Sequence, residues 1–256
     1  MLELIDKWKV LNHDLHQVLK AIDVELTPKD TQDVFLIIFS GFIQKATKSL
    51  CAINVLYENN LPEEAQAIVR ILFELRIIFC CFLKMEFNDP KERYERILDS
   101  MILEKAKQAK ASNFGGMTED EKNKILNAEQ AASQKYTSEE LKNLKKNGFT
   151  GMNIEERARF CGEEDDYNVA YRNFSRNIHS TDYLEKFIRH ENLRRKDHDE
   201  YISSRDIYSL SLAFIFANEI ARNANNFYRL NFIAKLEQLS KRQHEINQRS
   251  QARRAQ

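Results

Sequence analysis

Glycine and proline are scarce in this sequence, with six Gly and three Pro among 256 residues. β-Sandwiches and barrels need turn residues roughly every ten positions, so this scarcity argues against an all-β fold and favours helices. An excess of charge of either sign is also missing, because 39 basic residues balance 39 acidic ones. No global field therefore indicates a nucleic acid or a membrane as partner, and any site for a polyanion must be local.

The cysteines lack the Cys-x-x-Cys spacing of common zinc and redox motifs. Four are present, at Cys51, Cys80, Cys81 and Cys161. Cys80 and Cys81 lie in a long apolar stretch, where a reduced cysteine behaves as a small hydrophobe. We therefore expect reduced core thiols in a cytoplasmic protein, with a redox role as the alternative.

Neither a secretion signal nor a membrane span is indicated. The N-terminal segment intersperses acids and bases at helical spacing and has no uninterrupted apolar core. The most apolar segment, residues 65–83, contains Arg70, Glu74 and Arg76. Each charge opposes insertion at the centre of a span by about 2.5–3.5 kcal/mol. We expect this segment to be a buried helix of a soluble fold, and we expect no membrane partner.

Apolar residues recur at steps of three and four along most of the chain, a pattern typical of amphipathic helices. The three prolines and several polar clusters mark where these helices end or begin. The predicted fold class is all-α, a multi-helix bundle. Its predicted helices cover residues 1–26, 31–58, 63–86, 90–110, 118–134, 167–179 and 204–229.

Two regions depart from this pattern and set the predicted domain organisation. Residues 111–151 combine glycines with dense mixed charge, which predicts an exposed, charged helical arm. Such a charge run is usually a solvated face, with a binding surface as the alternative. Residues 241–256 include five basic residues, one acid and no aromatic, so we expect a flexible, poorly ordered tail. Residues 1–240 are expected to form a single helical domain.

Two charges on the third helix form a pair. Arg70 and Glu74 are four residues apart and hence share a face. A charged pair among apolar side chains must be matched, or it costs several kcal/mol. We expect either a buried ion pair that fixes helix packing or the lining of a polar pocket. In both cases the pair should lie close to the helix at 167–179, which offers the nearest chemical match.

The helix at 167–179 carries the most informative polar pattern. Arg172 and His179 are seven residues apart, so a helix places them on one face with Ser175 between them. A His can take or return a proton near neutral pH, and an Arg can stabilise charge on a phosphate. This stripe has the parts for metal-independent transesterification of a phosphodiester. The alternative is a histidine hydrogen-bonded to a neighbouring helix, for example through Glu74.

Motifs for metals and cofactors are missing. The acidic run 163–166 precedes a helix whose positive end it stabilises, and it lacks the interior Gly and distal Glu of a Ca²⁺ loop. His13 and His16 are three residues apart, but no third ligand is visible. Gly-rich phosphate loops, nucleophile elbows and His-Glu-x-x-His are absent too. We therefore expect neither a metal nor a cofactor.

Two blocks of the sequence together resemble an uncharacterised bacterial family, a domain of unknown function. The resemblance covers roughly residues 40–185 and implies a helical fold without implying a known activity. The blocks are Ser49-x₃-Ile53-x₂-Leu56 running into Glu64-Ala65-x₂-Ile68-Val69-Arg70-x₂-Phe73-Glu74, and Tyr167-x₃-Tyr171-x₃-Ser175-x₃-His179.

A second resemblance concerns one helix. Arg172-Asn173 followed by His179 is similar to the Arg-x₄₋₆-His motif of the HEPN superfamily, helical proteins that include toxin and antiphage ribonucleases. This likeness implies a homodimer in which each Arg/His pair is half of a composite site. It also implies that His179 acts as acid or base on the ribose 2′-hydroxyl, that Arg172 holds the phosphate and that Ser175 orients one of them.

Other residues of the same helix are expected to contact the substrate, namely Tyr171, Asn173 and Arg176. The leading hypothesis is a HEPN-like, metal-independent protein that cleaves or binds RNA in a stress or antiphage defence system. The alternative is a non-catalytic helical interaction module with a buried polar network. A small-molecule pocket within the bundle is a third hypothesis.

Overall fold

Helices make up nearly all of the chain that the computed structural model describes, namely residues 2–27, 33–87, 90–111, 117–172, 174–175 and 195–254. No strand occurs in these ranges, which confirms the all-α, multi-helix prediction. In chain order the helices are α1 (Leu2–Leu26), α2 (Val34–Glu58), α3 (Pro62–Lys84), α4 (Pro90–Lys110), α5 (Glu119–Ser133), α6 (Ser138–Asn147), α7 (Ile154–Cys161), α8 (Glu164–Asp166) leading directly into a π-helix (Tyr167–Tyr171), α9 (Arg195–Tyr228) and α10 (Ile233–Arg254).

Two predicted helices differ clearly from the structure. The helix predicted from 204 begins at Arg195 as α9. Mixed charge without an apolar stripe gives no periodic signal before 204, although charged residues are adequate helix formers. The helix predicted from Tyr167 begins three residues earlier, at Glu164, as α8. The first residues of the predicted range form the π-helix instead of an α-helix. Its residues after Ser175 lie outside the described ranges.

Capping boxes start the helices of the charged region. At each start a side-chain oxygen accepts a bond from the backbone N–H three residues on, and the acid there accepts a bond from the backbone N–H of the cap. This exchange satisfies donors that have no partner within the helix. The caps are Thr118, Thr137 and Asn153, paired with Glu121, Glu140 and Glu156.

The chain divides into two compact units. The first contains residues 1–79 and 165–256, and the second is Cys80–Glu164. In the first unit, α1 packs on α2, α9 and α10. Trp8 of α1 is fully buried and meets Phe214 of α9 edge to face, with ring centroids 6.2 Å apart. Burying a large apolar side chain of this kind contributes about 1.5–3 kcal/mol.

The second unit contains the predicted arm, residues 111–151, and extends beyond it at both ends. Its helices α5 and α6 pack on α4. The buried Asp99 of α4 accepts hydrogen bonds from Lys135 Nζ at 3.1 Å and from the Tyr136 hydroxyl at 2.9 Å. Leu144 of α6 is also buried. Buried contacts as well as solvated charges therefore hold these helices in place.

The end of the chain is helical as far as Arg254. Within α10, Arg242 Nη1 pairs with Asp14 Oδ2 of α1 at 2.6 Å, and Ile246 is buried. These contacts hold the first part of the segment expected to be a tail. A poorly ordered end beyond Ser250, where the side chains lie outside the described part, stays a prediction.

One described helix, α2, is long and apolar enough to cross a membrane. Its 25 residues include an 18-residue stretch with a mean hydropathy of 1.3, of which 33% is buried in the fold. The same helix packs on α1 and α9. A core helix of a soluble protein meets the same criteria, so length and composition do not decide whether α2 is a membrane span or a core helix. The absence of a membrane partner stays a prediction.

The Asp99 contacts predict a stabilising role within the second unit. Asp99→Ala removes a buried acceptor shared by Lys135 and Tyr136, and we expect the free energy of unfolding to fall by roughly 2–3 kcal/mol in a urea titration. Glu104→Ala, at an exposed position of the same helix, should cost less than about 0.5 kcal/mol. Equal effects of the two changes would show that the arm is held by solvated charges alone.

Candidate functional site

Arg70 of α3 lies against Tyr171, the last residue of the π-helix. Its Nη2 donates a hydrogen bond of 2.7 Å to the Tyr171 hydroxyl, and its Cζ is 4.5 Å from the centroid of the tyrosine ring. The same Nη2 pairs with Glu74 Oε1 at 3.3 Å. The predicted approach of Arg70 and Glu74 to the segment that leads to Ser175 is thus confirmed at Tyr171.

A series of ring contacts runs from Arg70 to Arg172. The rings of Tyr167 and Tyr171 stack with centroids 5.2 Å apart and planes inclined by 18°. The guanidinium carbon of Arg172 lies 5.3 Å from the centroid of Tyr167. Tyr167 is buried, whereas Arg172 is exposed. We call this series the arginine–tyrosine cluster. It links a half-buried cation on α3 to a cation at the surface.

The π-helix determines how these rings meet. The backbone N–H of Arg172 donates to the carbonyl of Tyr167, five residues back, instead of the usual four. Such wider turns are rare and are frequent at functional sites. Because the turn is wider, the α-helical spacing assumed from the sequence does not hold between Tyr167 and Tyr171. Helical geometry of the ordinary kind resumes at Arg172.

Ser175 makes a local bond. Its Oγ donates to the carbonyl of Tyr171 at 2.6 Å, one turn back on the same segment. Hydroxyl bonds of this type are common within helices. The single hydroxyl proton is therefore engaged, and only the oxygen lone pairs remain to accept a bond from a neighbour. Asn173, Arg176 and His179 lie outside the described residues, so their expected roles stay predictions.

The Arg70–Glu74 pair is less buried than its apolar surroundings suggested. The Arg70 side chain is 23% exposed and that of Glu74 is 36% exposed. The pair lies on the side of α3 that meets the arginine–tyrosine cluster, and water reaches the carboxylate. Of the two alternatives, a buried ion pair and the lining of a polar pocket, a fully internal ion pair does not match this exposure, since burial on this helix differs from one face to the next.

Arg76 is the buried charge of α3, and its role was not predicted from the sequence. Its side chain is 6% exposed, and Nη1 donates to Asp166 Oδ2 at 2.8 Å. Its Nε pairs with the carboxylate of Glu219 on α9, and its guanidinium carbon lies 5.0 Å from the centroid of Phe216. Asp166 immediately precedes the π-helix, so this buried cation holds the start of the segment that bears Tyr167 and Tyr171.

Burial raises the pKa of two tyrosines in this region. Burial raises the pKa of Tyr171, and the charge of Glu74 adds to the effect, while the hydrogen bond from Arg70 opposes it. Burial also raises the pKa of Tyr208 on α9, with a contribution from the charge of Asp166. The Tyr171 hydroxyl can therefore accept from Arg70 and still hold its own proton.

Metal chemistry finds no support in the described part of the chain, where no group of three or more His, Cys, Asp or Glu side chains is arranged to hold a metal ion. What the arginine–tyrosine cluster offers is an exposed guanidinium over an aromatic ring. A guanidinium presents its N–H groups in a planar fork that matches a phosphate or carboxylate. The chemistry that this surface suits is therefore anion recognition.

Comparison with protein families shows to which family the chain belongs. A family model described as a family of unknown function, DUF5677, matches residues 36–197, more than half of the 256-residue chain. The chain belongs to this family. The DUF5677 match includes α3, the π-helix and Ser175, so the predicted resemblance to an uncharacterised domain is confirmed. No curated protein and no solved structure matches the chain.

Within this DUF5677 fold, the burial of Arg76 predicts a large effect on stability. Arg76→Met removes the cation shared by Asp166 and Glu219, and we expect a loss of roughly 1–3 kcal/mol in the free energy of unfolding. The partial exposure of both carboxylates limits the cost. Arg159→Met, the same change at an exposed arginine of α7, should cost less than about 0.5 kcal/mol. A chemical denaturation series that gives the two variants equal stability would contradict the structural role of Arg76.

The contact between Arg70 and Tyr171 predicts a measurable coupling in the same DUF5677 fold. Tyr171→Phe keeps the ring but removes the hydroxyl that accepts from Arg70, which should cost about 1 kcal/mol. When Tyr171→Phe is combined with Arg70→Met in a double-mutant cycle, the coupling energy between the two residues should be roughly 0.5–1.5 kcal/mol. Tyr94→Phe on α4 is the matched control and should show no coupling to Arg70.

Because Glu74 is partly exposed, Glu74→Ala should lower the free energy of unfolding by about 1 kcal/mol, which is below the 3–5 kcal/mol typical of a stranded buried charge.

Proposed function

We propose that this protein is a HEPN-like, metal-independent RNA-cleaving protein of a cytoplasmic stress or antiphage defence system. The observation that supports this proposal best is the exposed guanidinium of Arg172 over the ring of Tyr167. In a chain with no net charge, RNA must be recognised by a local site, and this cation is placed for a phosphate. It occupies the Arg position of the Arg-x₆-His pattern.

The ring behind Arg172 favours anion binding in two ways. Contact with the face of Tyr167 restricts the rotamers of a long side chain, so less conformational entropy is lost when a phosphate binds. The face of the Tyr167 ring also attracts the guanidinium, which helps to hold this cation in place at the surface. The buried Arg76, paired with Asp166, fixes the start of the segment on which Tyr167 lies.

Cleavage in this proposal is an intramolecular transesterification. The ribose 2′-oxygen attacks the adjacent phosphorus, the bond from phosphorus to the 5′-oxygen breaks, and a 2′,3′-cyclic phosphate forms. His179 removes the proton of the 2′-hydroxyl or returns one to the leaving 5′-oxygen. Arg172 holds the phosphate as its charge rises in the transition state, and no metal ion is required. Ser175 accepts a bond from one of these two residues and so orients it.

The other residues of the helix complete the proposed substrate contacts. Asn173 and Arg176 flank the phosphate, and Tyr171 carries the contact to Arg70. The HEPN likeness suggests a homodimer in which two such helices meet and form one composite RNA site. The dimer and the RNA partner are both part of the proposal.

A second candidate function has an observation of its own. Arg70 is already engaged by Glu74 and by Tyr171, and the Ser175 hydroxyl is engaged by the carbonyl of Tyr171. These internal bonds favour a non-catalytic helical interaction module, in which the polar residues form a network that specifies packing. The two candidates differ in what happens when His179 is removed.

The test is incubation of the purified protein with total RNA in EDTA. Cleavage by the wild type is expected, and His179→Ala should reduce its rate by roughly 10²–10⁴-fold, the usual contribution of a general acid or base. The thermal midpoint should stay within a few degrees, since an active-site side chain contributes little to packing. Arg172→Ala should behave likewise and Arg176→Ala more mildly.

Arg159→Ala is the matched control for Arg172→Ala, because it removes an exposed helical arginine that belongs to the second unit. It should leave cleavage unchanged. If the wild type cleaves RNA and His179→Ala cleaves it equally well, the HEPN-like proposal is wrong. If no cleavage occurs and His179→Ala clearly lowers the thermal midpoint, the result favours the non-catalytic polar network. In that case each hydrogen-bond partner that His179 leaves unsatisfied should lower the free energy of unfolding by about 1–3 kcal/mol.

A further inference from the structure

Three of the four cysteines meet where the second unit begins and ends. Cys80 and Cys81 lie near the end of α3, and Cys161 is the last residue of α7. The unit runs from Cys80 to Glu164, so these thiols lie at its two chain ends. The Sγ atoms of Cys81 and Cys161 are 3.6 Å apart and both residues are buried. They are separated by 80 positions in the sequence.

The backbone around these thiols is held in place. Lys84 Nζ donates to the carbonyl of Cys161 at 2.8 Å, which ties the end of α3 to the end of α7. Gly162 follows with φ of 80°, a left-handed conformation that glycine adopts without strain and that ends α7. Residues at helix ends can turn without disturbing a helix interior. The sulfur atoms need to approach by about 1.5 Å to reach the length of a disulfide.

We propose that Cys81 and Cys161 are a redox modification site. A peroxide oxidises them to a reversible disulfide that links the two chain ends of the Cys80–Glu164 unit. Cys80 is a poor alternative partner for Cys81, because adjacent side chains of a helix point about 100° apart. This inference does not depend on the proposed RNA cleavage.

Cys81 is the attacking thiol and Cys161 is the resolving thiol. A hydrogen bond with Cys161 lowers the pKa of Cys81, although burial opposes the effect, and the charges of Arg157 and Lys84 also lower it. The thiolate is the nucleophile in such reactions. The Cys81 thiolate attacks one oxygen of hydrogen peroxide, the O–O bond breaks, and the released hydroxide takes a proton to become water.

The resulting sulfenic acid is resolved by Cys161. The Cys161 sulfur attacks the sulfur of Cys81, the S–S bond forms and the S–O bond breaks, and the hydroxide leaves with the Cys161 proton as water. In sum, two thiols lose two electrons and two protons, and one peroxide becomes two waters. A dithiol reductant reverses the change by thiol–disulfide exchange.

The disulfide is expected to stabilise the unit that it closes. A cross-link restricts the unfolded chain more when the closed loop is longer, and this loop spans 80 positions. Oxidation of the wild type should therefore raise the thermal midpoint by several degrees, and dithiothreitol should return it to the starting value.

The test treats the full chain with hydrogen peroxide, alkylates the remaining thiols under denaturing conditions and maps the peptides. The wild type should lose the thiols of Cys81 and Cys161, with the peptide of Cys81 linked to that of Cys161 within one chain, and dithiothreitol should restore both. Cys161→Ala should not lose the Cys81 thiol to a disulfide. Cys51→Ala removes the exposed cysteine of α2 and should match the wild type, as should Cys80→Ala.

Three results would overturn the proposal. The first is full alkylation of Cys81 and Cys161 in wild type at a peroxide dose that oxidises the exposed Cys51 completely. The second is a link that joins two chains or that joins Cys80 to Cys161, seen by mass and on a non-reducing gel. The third is an oxidised wild type whose thermal midpoint equals that of the reduced protein. Because the first and third use the wild type, a variant that fails to fold does not weaken the test.

Discussion

The arrangement of the candidate site depends on one buried cation. A guanidinium removed from water must find carboxylates, or its desolvation is not compensated. Arg76 meets this requirement with Asp166 at the end of α8 and with Glu219 on α9. The π-helix begins at the residue after Asp166, so the position of Tyr167 follows from that ion pair. The stacking of Tyr171 and the contact with Arg70 follow in turn.

Three arginines of the first unit differ in exposure and therefore in what each can do. Arg76 is nearly inaccessible and is bound by two carboxylates, so its role is structural. Arg70 is partly exposed and is shared by Glu74 and Tyr171. Arg172 is exposed and lies against an aromatic face. Of the three, Arg172 alone is an exposed residue, and the two others are held by carboxylates.

Much of the fold could be predicted because its causes are local. Apolar residues at steps of three and four predicted α1, α2 and α3, and a charged helical pattern predicted α5. The early start of α9 could not be predicted, since a charged stretch has no apolar period. The π-helix could not be predicted either, since it has no sequence pattern of its own.

The site was predicted less completely, for a related reason. The approach of Arg70 to Tyr171 could be inferred, because a polar pair on an apolar helix needs a chemical match. The partner of Arg76 is 90 positions away and could not be inferred from spacing. Periodicity shows which residues share a face of one helix, but the tertiary fold decides how deeply that face is buried. For this reason the sequence left open whether Glu74 is buried or lines a pocket, and the structure shows that it is partly exposed.

The position of Trp8 gives this protein a built-in optical reporter. It is the only tryptophan in the sequence and lies fully buried on α1, in the first unit. Its fluorescence therefore senses water only when the packing of α1 against its neighbours is lost. The second unit contains no tryptophan. Emission from this residue consequently follows the melting of the first unit, while the far-ultraviolet signal of the helices follows both units.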